Sequence, residues 1–85
     1  MTAEDIQRTL EESLPESLIR VRDTTGTGDH FEALVVSPAF SGQAIVEQHR
    51  MVYSILGPAM SGPIHALALK TFTPEQWEKA SAPRT

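Results

Sequence analysis

The chain has 85 residues and a formal net charge of −4, with 7 Lys and Arg against 11 Asp and Glu. This length provides one small domain with a single hydrophobic core. The acidic balance argues against a protein whose main task is to hold a nucleic-acid backbone, which requires clustered basic charge. The chain has no cysteine, which excludes a disulfide framework, thiol catalysis and any zinc or iron–sulfur site built from its own thiolates alone.

The N-terminal segment is polar and acidic, unlike a secretory signal or an Arg-rich transit peptide. No apolar stretch approaches the roughly 20 residues that a membrane-spanning helix needs. We therefore expect a cytoplasmic protein that makes no contact with a membrane.

The first predicted element is a helix over residues 3–14, whose apolar side chains recur every three or four positions: Ala3, Ile6, Leu10 and Leu14. Thr2 is a suitable N-cap, and Pro15 ends the helix because the residue before a proline avoids the α region. Two segments with alternating apolar and polar residues follow, at 18–23 and 30–37. The glycine-rich connection between them predicts a β-hairpin.

Helical periodicity returns over residues 43–56, with a predicted buried stripe of Ile45, Val52 and Leu56. Gly57 and Pro58 stop this helix, and the residues up to Gly62 have room for a single further helical turn. Residues 64–72 form the third predicted strand. Their continuous apolar character predicts burial on both faces.

Thr73 and Gln76 have the spacing of a capping box and begin a last helix that fades by about Ala80. We expect one domain over residues 1–80 and a flexible C-terminal tail over 81–85. The element order α-β-β-α-α-β-α predicts an α+β fold in which helices cover one face of a three-stranded mixed sheet. The helical crossover makes the second and third strands parallel.

His30 opens the second predicted strand and His65 opens the third. Parallel strands begin at the same end of a sheet, and neighbouring strands lie about 5 Å apart, so the two imidazoles are candidate ligands of one metal centre. A plainer interpretation remains open, in which His30 is an exposed loop residue and His65 bonds to a neighbouring backbone group. His49 falls on the apolar stripe of its helix and is interpreted as a packing residue.

The sequence offers no catalytic constellation, since it lacks both a G-x-S-x-G serine and a lysine-containing phosphate loop. We therefore expect that the protein is not an enzyme. The element order matches the prokaryotic-type KH arrangement of nucleic-acid-binding modules, but the connection at 57–62 lacks their G-x-x-G loop. A nucleic-acid interpretation would depend on the local positive charge of Arg20, Arg22 and Lys70.

Five stretches together resemble the BolA-like family: GDHF at 28–31, VSPAFSG at 36–42, QHRMVY at 48–53, IHALALKT at 64–71 and TPEQW at 73–77. The resemblance extends over roughly residues 3–78. It implies a KH-like fold of the second class without the G-x-x-G loop. It also implies a monothiol glutaredoxin as partner and a 2Fe–2S cluster shared with that glutaredoxin and its glutathione.

In this family the BolA-like protein supplies the histidine at the start of the last strand, here His65, and a His or Cys of the hairpin loop, here His30. Within the same resemblance His49 stays structural, Arg50 faces the partner or an anion, and Phe40 and Tyr53 belong to the core or to a partner surface. Three functions stay open. They are an adaptor in iron–sulfur cluster assembly and trafficking, a DNA-binding transcriptional regulator of stress response and cell morphology, and an interaction module without a cluster. We expect a monomer or a weak homodimer when the partner is absent.

Overall fold

The computed structural model describes residues 2–28, 30–61 and 66–81, which form three α-helices and three strands. The elements in chain order are α1 (Ala3–Ser13), β1 (Leu18–Asp23), β2 (His30–Val36), α2 (Ile45–Leu56), β3 (Ala66–Phe72) and α3 (Pro74–Ser81), with short 3₁₀ helices at Pro38–Phe40 and Gly57–Ser61 on either side of α2. The α+β order predicted from the sequence is confirmed. The segment 82–85 lies outside the described residues, so the C-terminal tail stays a prediction.

The sheet has the strand order β1-β2-β3, with β1 antiparallel to β2 and β2 parallel to β3. A short connection joins β1 to β2 and forces the chain to reverse, whereas α2 carries the chain back to the end of the sheet where β2 began. The register aligns Arg20 of β1 with Leu34 of β2 and Leu34 with Lys70 of β3. Both the predicted hairpin and the predicted parallel pair are confirmed.

The hydrophobic core lies between one face of the sheet and the helices α1 and α2. Its buried members alternate along the strands and recur at helical spacing on the helices: Ile6, Leu10, Leu14, Ile19, Phe31, Val35, Phe40, Val52 and Leu56. Full burial of a side chain of this size stabilises the fold by about 1.5–3 kcal/mol. This core fixes which face of each strand points inward and leaves the alternate residues of β1, β2 and β3 on the open face of the sheet.

The buried stripe of α2 differs from the sequence prediction at its first residue. Ile45 is 60 % exposed, and Gln48 is fully buried beside Val52 and Leu56. The helix begins at Ile45 rather than at residue 43, so the inward face is set by positions 48, 52 and 56, one helical turn apart. Gln48 tolerates this place because its Nε2 donates to the carbonyl oxygen of Gln43 at 2.9 Å, which ties the preceding loop to the helix.

The predicted burial of β3 on both faces is wrong. Ala66, Ala68 and Lys70 are exposed, and Leu67 and Leu69 are half-buried. Continuous apolar strands are buried on both sides only where helices cover both faces of the sheet. Here the apolar run alternates alanine with leucine, and the alanines lie on the open face.

Capping boxes begin α1 and α3; the sequence predicts the box at α3 and, at α1, the N-cap Thr2. At α1, Thr2 Oγ1 accepts the backbone N–H of Asp5 at 3.1 Å, and Asp5 Oδ2 accepts the backbone N–H of Thr2 at 2.9 Å. The pKa of Asp5 lies below its ordinary value, mainly because its carboxylate accepts a hydrogen bond from the Thr2 backbone. A hydrogen bond with the Thr2 side chain lowers this pKa further. At α3, Thr73 and Gln76 exchange the same two bonds at 3.1 and 2.9 Å.

The α1 cap makes a prediction about acid stability. The folded-state pKa of Asp5 lies below its ordinary value of 3.8. Its contribution to the free energy of unfolding is therefore present above pH 3.8 and is lost as the pH falls through the folded-state pKa. We expect Asp5→Asn to lower stability at neutral pH and to flatten the acid decline between about pH 5 and pH 2. Urea unfolding across this range measures both effects, with Glu4→Gln as a control in the same turn. An identical acid decline in Asp5→Asn and the unmodified chain would contradict the assignment.

Candidate functional site

His30 is the first residue of β2 and is half-buried. In the parallel pairing its Cα partner is Ala66, the first residue of β3. His65 directly precedes Ala66 in the sequence and lies outside the described residues. The approach of the two imidazoles therefore stays a prediction, made at the end of the sheet where β2 and β3 begin together.

The connection that leads into His30 is folded around one carboxylate. Asp23 Oδ1 accepts the backbone N–H groups of Thr25 at 3.2 Å and of Gly26 at 2.9 Å, and Oδ2 accepts the N–H of Gly28 at 2.8 Å. Gly26 and Gly28 have φ values of +76° and +78°, in the left-handed region that favours glycine. Asp23 is not among the residues predicted from the sequence. The sequence does carry a signal for this role, because an aspartate at a strand end before a Thr- and Gly-rich segment is the usual setting of an Asx turn.

The backbone of His30 is held from both sides. The N–H and the hydroxyl of Thr24 both donate to the carbonyl oxygen of His30, at 3.0 and 3.2 Å. The next residue, Phe31, is 2 % exposed and anchored in the core. His30 therefore lies at a strand end whose backbone is fixed. A metal-ligating residue on a strand is held in place more tightly than one on a free loop.

Removal of the Asp23 carboxylate should loosen this connection. We expect Asp23→Ala to lower the free energy of unfolding by about 1–2 kcal/mol, because three backbone N–H groups lose their acceptor. The amides of Gly26 and Gly28 should exchange with solvent deuterium faster, as NMR can measure, while Asp23→Asn keeps one side-chain oxygen and should show a smaller effect. Unchanged exchange at both glycines in Asp23→Ala would show that the carboxylate does not organise the segment.

The structure brings Arg20, Arg22 and Lys70 together on the open face of the sheet, where they line a groove of about 500 Å³. Arg20 and Lys70 flank Leu34 in one row of the register. The guanidinium of Arg22 donates to both carboxylate oxygens of Glu32, at 3.2 and 3.0 Å. This ion pair is exposed and offsets one of the three positive charges, so the face has a net charge of about +2.

The other singled-out residues lie elsewhere. The ring of His49 lies edge-on to Tyr53, with centroids 6.4 Å apart, and His49 is half-buried rather than part of the α2 core stripe. Arg50 forms an ion pair with Glu47 at 2.8 Å. Phe40 is fully buried in the core, and Tyr53 is 39 % exposed.

Within residues 2–28, 30–61 and 66–81, no group of three or more His, Asp or Glu side chains is placed to hold a metal ion, and no helix is long and apolar enough to cross a membrane.

Comparison with known proteins finds that residues 8–76 match the BolA-like protein family. The chain is 35 % identical over 83 residues to BolA-like protein 1 of Homo sapiens, covering 89 % of this chain and 61 % of that protein. It is 43 % identical over 53 residues to the DNA-binding transcriptional regulator BolA of Escherichia coli K12, covering 62 % of this chain and 50 % of that protein. The solved structure of a BolA protein homologue from Coxiella burnetii superposes with a TM-score of 0.77 at 43 % identity and covers 92 % of this chain and 97 % of that chain. The chain thus spans about half to three-fifths of the length of these two curated relatives.

Proposed function

The chain belongs to the BolA-like family, and on that premise we propose that it is a non-enzymatic adaptor in iron–sulfur cluster trafficking. In this proposal it binds a monothiol glutaredoxin in the cytoplasm, and the two proteins share a 2Fe–2S cluster as cargo. His30 and His65 are the ligands from this chain, and the glutaredoxin cysteine and glutathione supply the thiolates. The supporting observation is that His30 pairs in the parallel register with Ala66, the residue that follows His65.

The donor chemistry of the chain fits this role. With no cysteine, the chain has no thiolate and depends on a thiol-bearing partner to complete the ligand set. Two imidazoles on one iron are an established alternative to two thiolates and raise the reduction potential of a 2Fe–2S cluster. His30 is half-buried and therefore retains a surface that a partner protein can reach.

The residues around His30 have a positioning role in this proposal. Asp23 folds the connection before β2, and Thr24 holds the His30 carbonyl oxygen through two bonds. These contacts fix the backbone that carries the His30 imidazole. Since a protonated imidazole cannot ligate iron, acid should release the cargo.

Ligand substitution tests the proposal. Each variant is co-expressed anaerobically with a monothiol glutaredoxin, and the visible absorption of the purified pair is followed over time. We expect His65→Ala and His30→Ala to speed loss of the cluster at least about tenfold, because each removes an iron ligand. His49→Ala, which removes a histidine of α2, is the matched control and should behave like the unmodified chain.

Unchanged spectra and cluster lifetimes in both ligand variants would contradict the assignment. A complex that forms with glutaredoxin but contains no iron when prepared without air would favour the interaction-module alternative instead.

A DNA-binding transcriptional regulator is the second candidate. It is supported by the name of the Escherichia coli relative and by the gathering of Arg20, Arg22 and Lys70 along one groove of the open sheet face. Two features weigh against it. Glu32 pairs with Arg22 on this face, and the whole chain has a formal charge of −4, which opposes non-specific attraction to phosphates.

A titration with duplex DNA across salt concentrations tests this candidate. If the basic face contacts phosphates, affinity should fall as salt rises, and Lys70→Gln should reduce the slope of log affinity against log salt by about 1. Arg8→Gln removes the same charge from exposed α1 and should leave the slope unchanged. Absence of binding at low salt, or binding without a salt slope, would exclude a phosphate contact.

A further inference from the structure

A second groove lies at the opposite end of β3 from His30. We call it the α2–α3 groove; it has a volume of about 440 Å³ and is lined by Ile45, Thr71, Phe72, Gln76, Lys79 and Ala80. Six residue steps along β3, at about 3.3 Å each, separate its two ends by about 20 Å. The groove is therefore remote from the histidine end of the sheet.

Three elements build the walls of this groove. Gln76, Lys79 and Ala80 have i, i+3 and i+4 spacing, so one side of α3 faces it. Trp77 on another side of α3 packs against Phe72, with ring centroids 5.4 Å apart. This contact packs α3 against the end of β3.

The groove borders apolar surface that the fold leaves uncovered. At the start of α2, Ile45 is 60 % exposed and Val46 is 58 % exposed, which is unusual for large aliphatic side chains of a helix in contact with the core. Beside them, β3 is the outer strand of the sheet, and its second edge has no strand partner among the described residues. A free strand edge offers unpaired backbone groups to an extended chain.

The polar groups of the groove favour an anion. Lys79 is the charged residue among the described groove-lining side chains, and it forms no ion pair within the described parts of the chain. The α2 N-cap is Ala44, which provides no side-chain acceptor for the first-turn N–H groups at the positive end of the helix.

We propose that the α2–α3 groove docks an extended acidic–apolar segment of a partner protein, with an aliphatic or aromatic side chain against Ile45 and a carboxylate at Lys79. An open groove of this kind fits a peptide better than a small molecule, which normally requires an enclosing pocket. The net charge of −4 opposes an acidic segment at long range, as it opposes DNA, and this repulsion is screened beyond about 8 Å at physiological salt. Docking in the α2–α3 groove does not require a bound cluster, so this proposal can fail while the adaptor proposal holds, and the reverse is also true.

A peptide titration tests the docking proposal. The probe is an acetylated and amidated hexapeptide of sequence Glu-Leu-Asp-Phe-Glu-Val, added to the ¹⁵N-labelled chain without iron. We expect amide shifts confined to the groove, at Ile45, Phe72, Gln76 and Lys79. The same peptide with Gln and Asn in place of its acids should bind about two- to fivefold more weakly, the usual effect of a solvent-exposed ion pair.

Two matched pairs of variants locate the binding. Lys79→Gln should weaken the acidic peptide about two- to fivefold, whereas Arg8→Gln makes the same charge change on α1 and should not. Ile45→Ser should weaken it about tenfold through lost apolar contact, whereas Val46→Ser alters an equally exposed neighbour that does not line the groove. All four positions are exposed, so the amide spectra of the variants should stay native.

The proposal is overturned if the peptide causes no shifts, if its shifts lie outside the groove, or if the control variants weaken binding as much as their matched partners. Octanoate, a small apolar carboxylate, is titrated in parallel. Groove shifts with octanoate at concentrations where the peptide gives none would also overturn peptide docking.

Discussion

The parallel pairing of β2 with β3 is the constraint on which the rest of the structure depends. It exists because α2 returns the chain to the end of the sheet where β2 began, after the hairpin had reversed it. The same pairing sets Ala66 beside His30 at one end of the sheet and places the last residues of β3 against α3 at the other. One crossover thus determines both the proposed ligand end and the proposed docking end.

The histidine end combines a rigid strand start with polar contacts from the preceding turn. The Asp23 carboxylate satisfies three backbone N–H groups, and Phe31 locks the strand into the core. This arrangement fixes the backbone of one histidine in a chain that has no thiolate. In the proposed adaptor function, a thiol-bearing partner supplies the thiolates that this cysteine-free chain lacks.

Much of the fold could be predicted from local sequence signals, since the capping boxes, the alternating strands and the crossover all act over short distances or through topology. The start of α2 could not be predicted in this way. Helical periodicity predicts that Ile45 lies in the core, whereas the first turn of the helix exposes Ile45. Gln48 is buried instead, and its side chain bonds to Gln43. The burial of β3 could not be predicted either, because the composition of a strand does not show whether helices cover one face of the sheet or both. Among the candidate site residues, His30 is proposed from its place at a strand start, whereas the role of Asp23 is visible only once its three backbone partners are located in space.

The central claim is that imidazoles of this chain ligate a cluster shared with a glutaredoxin. The most direct measurement labels only the histidines of this chain with ¹⁵N, forms the complex with an unlabelled monothiol glutaredoxin and glutathione, and records electron–nuclear double resonance of the reduced cluster. If imidazoles of this chain ligate the cluster, strong ¹⁵N couplings are expected that diminish with His30→Ala and with His65→Ala and persist with His49→Ala. A cluster without strong ¹⁵N couplings would contradict it, since all its ligands would then come from the partner and glutathione.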